Sequence, residues 1–242
     1  MDEHNTTMNP IRKKILAYSR LTRLRLAPTA ISNSTFGYWL SQENSFAHAI
    51  TIAIISLCLY SAGMTLNDIV DKNKDKLSNP QRPLPKGEIK YHEAIFLTLA
   101  LFTLSATLAG LYLNAQRLLW YGITVTCILV YNFTKELWPK ISPVWMGGCR
   151  CFNFTLGLGH WHTTLSLIYF FYTALLTYLS LLEDKLAKQK DQIQRYVFTL
   201  IASFPLLDAC VGLLYTQKYH AAFFSLWMLP CWRRKTSHKN VP

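Results

Sequence analysis

Long stretches without any charged residue alternate with short polar blocks along this chain of 242 residues. A helix that crosses the hydrocarbon of a membrane needs about 20 residues. The uncharged stretches are Leu26–Gln42, Asn44–Asn67, Ala94–Gln116, Leu118–Thr134, Cys151–Leu182, Tyr196–Leu207 and Tyr219–Trp232. Cys151–Leu182 is too long for one span and divides at Gly157–His162, while the next span extends past Asp208 to Thr216. The pattern predicts an all-α, polytopic transmembrane helix bundle of about eight spans.

Composition and charge support a membrane protein over a soluble one. The chain is 51% hydrophobic and 16% charged, whereas soluble domains carry about 25% charged residues. If each span reverses the side of the membrane, 23 of the 25 basic residues lie on one side, all except Arg117 and Lys218. This asymmetry is typical of the cytoplasmic side. The net charge of +12 is therefore a topology signal, and no nucleic acid partner is expected.

The distribution of basic residues also divides the chain. We expect a basic cytoplasmic N-terminal segment (1–25), a single transmembrane domain (26–232) and a basic C-terminal tail (233–242). Met1–Pro10 is polar and a long basic stretch, Arg12–Arg25, follows it, so we expect no cleavable signal peptide. The sequence predicts an integral protein of the cell inner membrane, with the N-terminus and the active face in the cytoplasm.

Acidic residues are concentrated where the second predicted span reaches the cytoplasmic side. Asp68, Asp71 and Asp75 follow one another at helical spacing, and Asn67 precedes Asp71 by four residues. On a helix all four side chains share one face. Crowded carboxylates repel each other unless a cation lies among them, and hard oxygen ligands suit Mg²⁺. Because Mg²⁺ is commonly shared with substrate phosphates, the pattern predicts a metal site that binds a diphosphate.

A constrained loop follows the acidic residues. The segment Asn79–Ile89 contains three prolines and one glycine, which favour a non-helical conformation. It would hold Arg82 near the acidic face, where a guanidinium group binds phosphate oxygens in a bidentate manner.

Together these residues resemble the first aspartate-rich motif of the UbiA superfamily of intramembrane prenyltransferases. The resemblance extends from about Leu21 to Asp184. Besides Asn67-Asp68-x-x-Asp71-x-x-x-Asp75 and Arg82-Pro83-Leu84-x-x-Gly87, its motifs are Leu21-Thr22-Arg23 with Pro28-Thr29, Tyr131-Asn132-Phe133-Thr134-Lys135, and the stretch Met146–Asn153 with Gly157. The last stretch is similar to the Cys-Arg-x-x-Asn element of the EboC-like branch.

The resemblance implies Mg²⁺-dependent transfer of a prenyl group from an isoprenyl diphosphate to a lipid-soluble, aromatic acceptor within the membrane. Asp68 and Asp71 would hold Mg²⁺, with Asn67 and Asp75 supporting them. The departing diphosphate would be stabilised by Arg82, Lys135 and Arg23, and substrate contacts are implied for Tyr131, Arg150, Asn153 and Glu183. Phe133, Trp145 and Phe154, with Tyr131, would face the allylic cation or would pack against lipid.

The second acidic motif of the superfamily, Asp-x-x-x-Asp, has no counterpart here. Neither Glu183 nor Asp184 is followed by a carboxylate four residues later. Ser180 and Glu183 match the Ser and Glu that stand there in the EboC-like branch. The superfamily typically has nine spans, against eight predicted here. A second function therefore stays open, namely a non-catalytic isoprenoid-binding or transport protein.

Asp208 is a charged residue within the seventh predicted span. Facing lipid, it would cost about 2.5–3.5 kcal/mol, so we expect it to face the interior of the bundle. There it would contact a substrate or form a hydrogen bond with a neighbouring helix, and both interpretations stay open.

Overall fold

The computed structural model describes residues 9–41, 43, 45–183, 196–201 and 203–213. These residues form helices and turns, and no strand occurs among them. The helices are α1 (Pro10–Leu21), α2 (Ala27–Leu40), α3 (Phe46–Val70), α4 (Lys72–Ser78), α5 (Tyr91–Tyr112), α6 (Ala115–Thr134), α7 (Ser142–Leu158), α8 (Thr163–Glu183) and α9 (Phe204–Val211). A 3-10 turn, Leu24–Leu26, joins α1 to α2, and residues 196–201 are also helical. The predicted all-α class is confirmed.

Three of the described helices are long and apolar enough to cross a membrane by length and composition. They are α3, α5 and Thr163–Leu182 of α8. α6 has 20 residues, whereas α2 and α7 have 14 and 17. The eight-span count stays a prediction, and its last span, Tyr219–Trp232, lies outside the described residues.

Several helix limits differ from the predicted ones. α7 begins at Ser142, nine residues before the uncharged stretch at Cys151, and it includes Arg150. The helix tolerates this charge because the guanidinium Nη2 of Arg150 turns inward and donates to Thr29 Oγ1 at 3.0 Å. The predicted break at Gly157–His162 is present, and Gly159 ends α7 with a φ of 85°.

The α2 and α7 helices form the centre of the bundle. α2 packs against α3, α7 and α9, and α7 packs also against α6 and α8. The approach of α2 to α7 depends on glycine, because a Cβ atom on Gly157 would lie 1.8 Å from the backbone oxygen of Ser34. A Cβ atom on Gly37 would lie 2.4 Å from the backbone oxygen of Phe154. Small residues allow helix backbones to approach this closely. Such packing matters in a membrane, because no hydrophobic driving force brings helices together there.

Polar contacts mark the two ends of the bundle. At one end, called here the motif end, Arg23 of the segment between α1 and the 3-10 turn pairs with Asp68 near the end of α3, and Lys135 at the end of α6 pairs with Asp71. At the opposite end Arg117 is 5% exposed, and its Nη1 donates to both carboxylate oxygens of Glu43 at 2.7 and 2.9 Å. Ion pairs and hydrogen bonds compensate the buried charges at both ends.

The N-terminal segment contains a helix that covers part of the motif end. α1 buries Ala17 and Leu21 against a small apolar cluster from the loop after α4 and the start of α5. Lys14 forms an ion pair with Glu93 of α5 at 2.7 Å, and Arg20 forms one with Glu88 of the loop. These contacts hold α1 beside the acidic residues.

The close contact of α2 and α7 makes Gly157→Ala a test of the packing. The added Cβ would overlap the Ser34 backbone, and overpacking typically costs about 1–3 kcal/mol. We expect a lower midpoint of thermal unfolding in detergent, followed by circular dichroism. Gly122→Ala is the matched control, because no atom lies within 4 Å of its added Cβ and alanine favours a helix by about 1 kcal/mol. An equal midpoint for both variants would contradict the close packing.

Candidate functional site

A chamber of about 550 Å³ opens between the helices at the motif end. Its upper wall carries the polar side chains of Asn67, Asp71, Asp75 and Arg82. The rest of its lining is mixed: polar side chains such as Arg150 and Asn153 alternate with the apolar ones of Leu59, Met64, Ile128, Leu176, Ile201 and Phe204. Most ligand pockets have volumes of about 300–1,000 Å³, so the chamber has room for a molecule with a charged head and an apolar tail.

The acidic residues lie on two consecutive helices rather than on one. α3 ends at Val70, and Asp71 follows with φ −80° and ψ 2°, between α3 and α4. The amide of Asp75 still donates to the Asp71 carbonyl at 2.8 Å, so the helical spacing is retained across the junction. Asp68 and Asp75 are 2% and 3% exposed. The predicted helical spacing is thus retained, but the three carboxylates do not share one cavity, because Asp71 and Asp75 line the chamber and Asp68 does not.

The loop after α4 returns Arg82 to the acidic residues. Backbone hydrogen bonds from Lys86 to the Arg82 carbonyl and from Glu88 to the Pro83 carbonyl close successive turns. Gly87 has a φ of 74°, which glycine adopts without steric cost. The loop therefore has the constrained, non-helical form that its prolines and glycine predict.

Arg82 and Arg23 neutralise two of the three aspartates. Arg82 Nη1 lies 2.5 Å from Asp75 Oδ2 and 3.2 Å from Asp68 Oδ1. Arg23 Nη2 lies 3.3 Å from the same oxygen of Asp68. Ion pairs of this kind compensate for the cost of burying the carboxylates.

Arg23 reaches Asp68 from an unusual backbone conformation. With a φ of 47°, it is the one described non-glycine residue of positive φ. Such a conformation costs of order 1–3 kcal/mol and persists only where surrounding contacts impose it. Here it lies between α1 and the 3-10 turn, and it directs the chain from α1 into α2 while the guanidinium faces Asp68.

The third aspartate is paired from α6. Lys135 is the residue that caps the C-terminal end of α6, and its Nζ lies 2.7 Å from Asp71 Oδ2. It also donates to Asn67 Oδ1, while Asn67 Nδ2 donates to Asp71 Oδ2 at 3.1 Å. Burial lowers the pKa of Lys135 from its ordinary value, and the Asp71 carboxylate acts in the opposite direction.

The aspartates suit a partial rather than a closed set of metal ligands. Among the described residues no group of three or more carboxylate, imidazole or thiol side chains is close enough to hold a metal ion. However, Asp71 Oδ1 is buried and has no hydrogen-bond partner among the described residues, so this oxygen could serve as a metal ligand. A Mg²⁺ ion held by one or two carboxylates and completed by water and phosphate oxygens fits this arrangement. The three-aspartate ligand set stays a prediction.

The remaining predicted contact residues occupy different places. Tyr131 and Arg150 line the chamber. Asn153 lines it too, although its Nδ2 donates to the Ala30 carbonyl at 3.0 Å and so ties α7 to α2. Glu183 is the last residue of α8, and its side chain lies outside the described part of the chain.

The other predicted aromatic residues lie outside the chamber lining. Phe133 is 60% exposed on the outer surface of the bundle, whereas Phe154 is fully buried in the core against Phe36 and Tyr169. Trp145 does not line the chamber among the described residues. The exposed position of Phe133 matches the packing against lipid, whereas Phe154 matches neither interpretation because it packs inside the protein core.

The chamber lining includes residues that were not predicted from the sequence, among them Tyr60 and Asn132. Tyr60 precedes Asn67 by seven positions on α3 and lines the chamber with it. Asn132 follows Tyr131 on α6 and is 3% exposed, and its Oδ1 has no hydrogen-bond partner among the described residues. The heptad spacing back from Asn67 would have identified Tyr60.

Asp208 bridges helices inside the bundle. It is fully buried in α9, its Oδ1 accepts from the Tyr169 hydroxyl at 2.6 Å, and its Oδ2 accepts from Ser32. It is not part of the chamber lining among the described residues. Of the two interpretations left open by the sequence, hydrogen bonding between helices matches these contacts.

Comparison with known proteins identifies the family. The model of the UbiA prenyltransferase family matches residues 27–232, which is most of the chain. The chain belongs to the UbiA prenyltransferase family. UbiA proteins are integral membrane proteins, in agreement with the long apolar helices α3, α5 and α8.

Two curated relatives illustrate the similarity within the family. Protoheme IX farnesyltransferase of Cytophaga hutchinsonii is 27% identical over 133 residues, which is 53% of this chain and 45% of that protein. Digeranylgeranylglyceryl phosphate synthase of Methanocaldococcus jannaschii is 27% identical over 139 residues, or 57% and 48%. The chain thus spans about half the length of the curated relatives it matches.

A solved UbiA structure shares the fold over a longer range. The UbiA homologue of Archaeoglobus fulgidus bound to GPP and Mg²⁺ superposes with a TM-score of 0.60 at 18% identity. The match covers 93% of this chain and 91% of that one. The helical bundle is therefore the UbiA fold.

The pairing of Lys135 with Asp71 predicts the effect of Lys135→Met. The substitution leaves a carboxylate that is 12% exposed without its cation, and we expect a loss of about 2 kcal/mol in chelator-treated protein. Thermal unfolding in detergent would measure it, and added Mg²⁺ should restore part of the loss. Lys74→Met is the control, because its 3.7 Å ion pair with Glu136 is largely exposed and contributes little. Equal losses in both variants would contradict the assignment.

Proposed function

We propose that the protein transfers a prenyl group, in a Mg²⁺-dependent reaction, from an isoprenyl diphosphate to a lipid-soluble aromatic acceptor within the membrane. The observation that carries the proposal is the chamber itself. It joins a charged motif end to an interior that contains a set of apolar side chains, among them Leu59, Ile128 and Leu176, between membrane helices. An isoprenyl diphosphate has the same division into a charged head and an apolar chain.

The motif end is suited to the diphosphate head. Arg82 and Arg23 line the chamber, and Lys135 lies against Asp71 on its wall. Their positive charges would stabilise the charge that develops on the diphosphate as it departs. When bound, Mg²⁺ would supply further positive charge to the same phosphate oxygens.

The deeper chamber is suited to the prenyl chain and to a reactive cation. Its apolar side chains exclude water, which would otherwise capture an allylic cation. The rings of Tyr60 and Tyr131 line the same space, and aromatic faces attract cations within about 6 Å. Of the aromatic residues expected from the sequence to face the cation, the proposal therefore keeps Tyr131, and it adds Tyr60.

The named relatives support the same chemistry. Protoheme IX farnesyltransferase and digeranylgeranylglyceryl phosphate synthase are prenyltransferases of this family, and the similar solved structure binds GPP and Mg²⁺. The relatives act on different acceptors, so they support prenyl transfer more strongly than any one acceptor. We also propose that the motif end faces the cytoplasm of the cell inner membrane, because the basic residues gather on that side.

The second candidate function is a non-catalytic isoprenoid-binding or transport protein. The observation in its favour is the second acidic motif, which has Ser180 where the superfamily has aspartate. Ser180 lines the chamber and donates to the Thr177 carbonyl at 2.8 Å, while Asp184 lies outside the described residues. We assign the chain to the EboC-like branch as part of the proposal, since Ser180 and Glu183 match that branch.

Asp71→Asn separates the two functions. With protein in nanodiscs that contain a native membrane lipid extract as the source of acceptor, Mg²⁺ and radiolabelled C10–C20 prenyl diphosphates, we expect Mg²⁺-dependent release of diphosphate that falls at least 100-fold in the variant. The neutral asparagine side chain would lose the ion pair with Lys135 and would bind the metal weakly. Glu93→Gln is the matched control, because Glu93 pairs with Lys14 away from the chamber. Tight binding without release in the unmodified protein would instead establish the carrier.

A further inference from the structure

A second cavity lies beside the chamber at the motif end. This cleft of about 400 Å³ is formed by the end of α1, the buried carboxylate of Asp68 and the start of the proline-rich loop. Its lining consists of Arg20, Arg23, Asp68, Ser78, Asn79, Pro80, Gln81, Arg82 and Pro83. Arg23, Ser78, Asn79 and Arg82 line the chamber as well. The two cavities therefore share one wall, which contains the ion-paired guanidinium groups.

The cleft and the chamber differ in the ligands that they can hold. Apart from two prolines, every described residue that lines the cleft is polar or charged. Residues 78–81 at its rim are exposed, so it opens to water. A prenyl chain would find no apolar wall there. A small anion would meet three guanidinium groups, and it would compete for them with the carboxylates of Asp68 and Glu88. The cleft thus suits the diphosphate head without its chain.

The proposed reaction creates such an anion inside the bundle. The C–O bond of the prenyl diphosphate breaks with its electron pair on oxygen, the acceptor gains the prenyl group and loses a proton, and inorganic diphosphate remains. A multiply charged anion does not leave through hydrocarbon, where even a single charge is costly. It therefore needs a polar route from the motif end to water.

We propose that inorganic diphosphate leaves the chamber through this cleft and is bound there by Arg20. The inference rests on the proposed function, because that function supplies the diphosphate. Arg23 and Arg82 line both cavities and would stay in contact with the anion as it crosses. Arg20 lines the cleft but not the chamber, so it lies where the diphosphate but not the prenyl chain would be bound.

Arg20 carries a charge in the cleft and also ties α1 to the loop through its ion pair with Glu88. Variants of the two partners distinguish these two roles of Arg20. Arg20→Gln removes both the guanidinium group of the cleft and the tie between α1 and the loop. Glu88→Gln breaks the same tie but leaves Arg20 in the cleft. Lys14→Gln is a further control, since Lys14 is also on α1, is 52% exposed like Arg20, and pairs with a partly buried glutamate outside the cleft.

The experiment measures binding of inorganic diphosphate to the full-length protein in nanodiscs with Mg²⁺, by calorimetry. A C10 prenyl thiolodiphosphate, which resists cleavage, serves as the chain-bearing ligand. We expect Arg20→Gln to weaken diphosphate binding five- to twentyfold and prenyl ligand binding less than twofold. Glu88→Gln and Lys14→Gln should change neither affinity by more than twofold.

Three results would overturn the proposal: unchanged diphosphate affinity in Arg20→Gln, an equal loss for both ligands, or an equal loss in Glu88→Gln. The measurement is independent of turnover. Diphosphate binding that depends on Arg20, in a protein that releases no diphosphate from a prenyl substrate, would refute the proposed function and leave the cleft as an anion site. Turnover that depends on Asp71, with no effect of Arg20, would refute the exit route alone.

Discussion

The structure depends on the compensation of buried charge at the motif end of the bundle. Asp68, Asp71 and Asp75 are each buried or nearly so, and each is paired with a cation from another part of the chain. Removing one member of a buried pair is costly because it leaves an uncompensated charge. The ion pairs therefore link the connection after α1, the loop after α4 and the end of α6 to the α3–α4 junction.

The same charges explain how the site can accept ligands. Three carboxylates and three cations (Arg23, Arg82 and Lys135) leave the group close to neutral. A magnesium ion would compete with the cations for carboxylate oxygens, and a diphosphate would compete with the carboxylates for the cations. The charges of the metal and the diphosphate nearly cancel. When both bind, the carboxylates and the cations therefore change partners without leaving a large buried charge.

Away from this end, small residues and hydrogen bonds hold the helices together. Gly37 and Gly157 allow the backbones of α2 and α7 to touch. Asn153 joins α7 to α2, and Asp208 joins α9 to α2 and α8. Such contacts are the expected means of association in lipid, because burial of apolar surface gives no advantage there. They keep the chamber walls in place around an interior that the helices themselves do not fill.

The sequence by itself determined the helical class, the position of most long helices, the acidic face after α3 and the constrained loop that carries Arg82. These features follow from local rules, namely the length of uncharged stretches, helical spacing, and the conformational limits of proline and glycine. These rules did not predict that α7 begins at Ser142, because they take a charged residue as the end of a membrane helix. Arg150 does not end the helix, because its guanidinium group turns inward and contacts Thr29, which is far away in the sequence.

Only the tertiary structure decided which side chains meet. Helical spacing places Asp68 and Asp71 on neighbouring positions of one helix, but it does not show that Asp68 lines the cleft and Asp71 the chamber. In the same way it does not show that Phe133 faces outward or that Tyr60 faces the chamber. The physical reason is that periodicity relates residues to the axis of their own helix, whereas the rotation of each helix against its neighbours depends on contacts between residues far apart in the sequence.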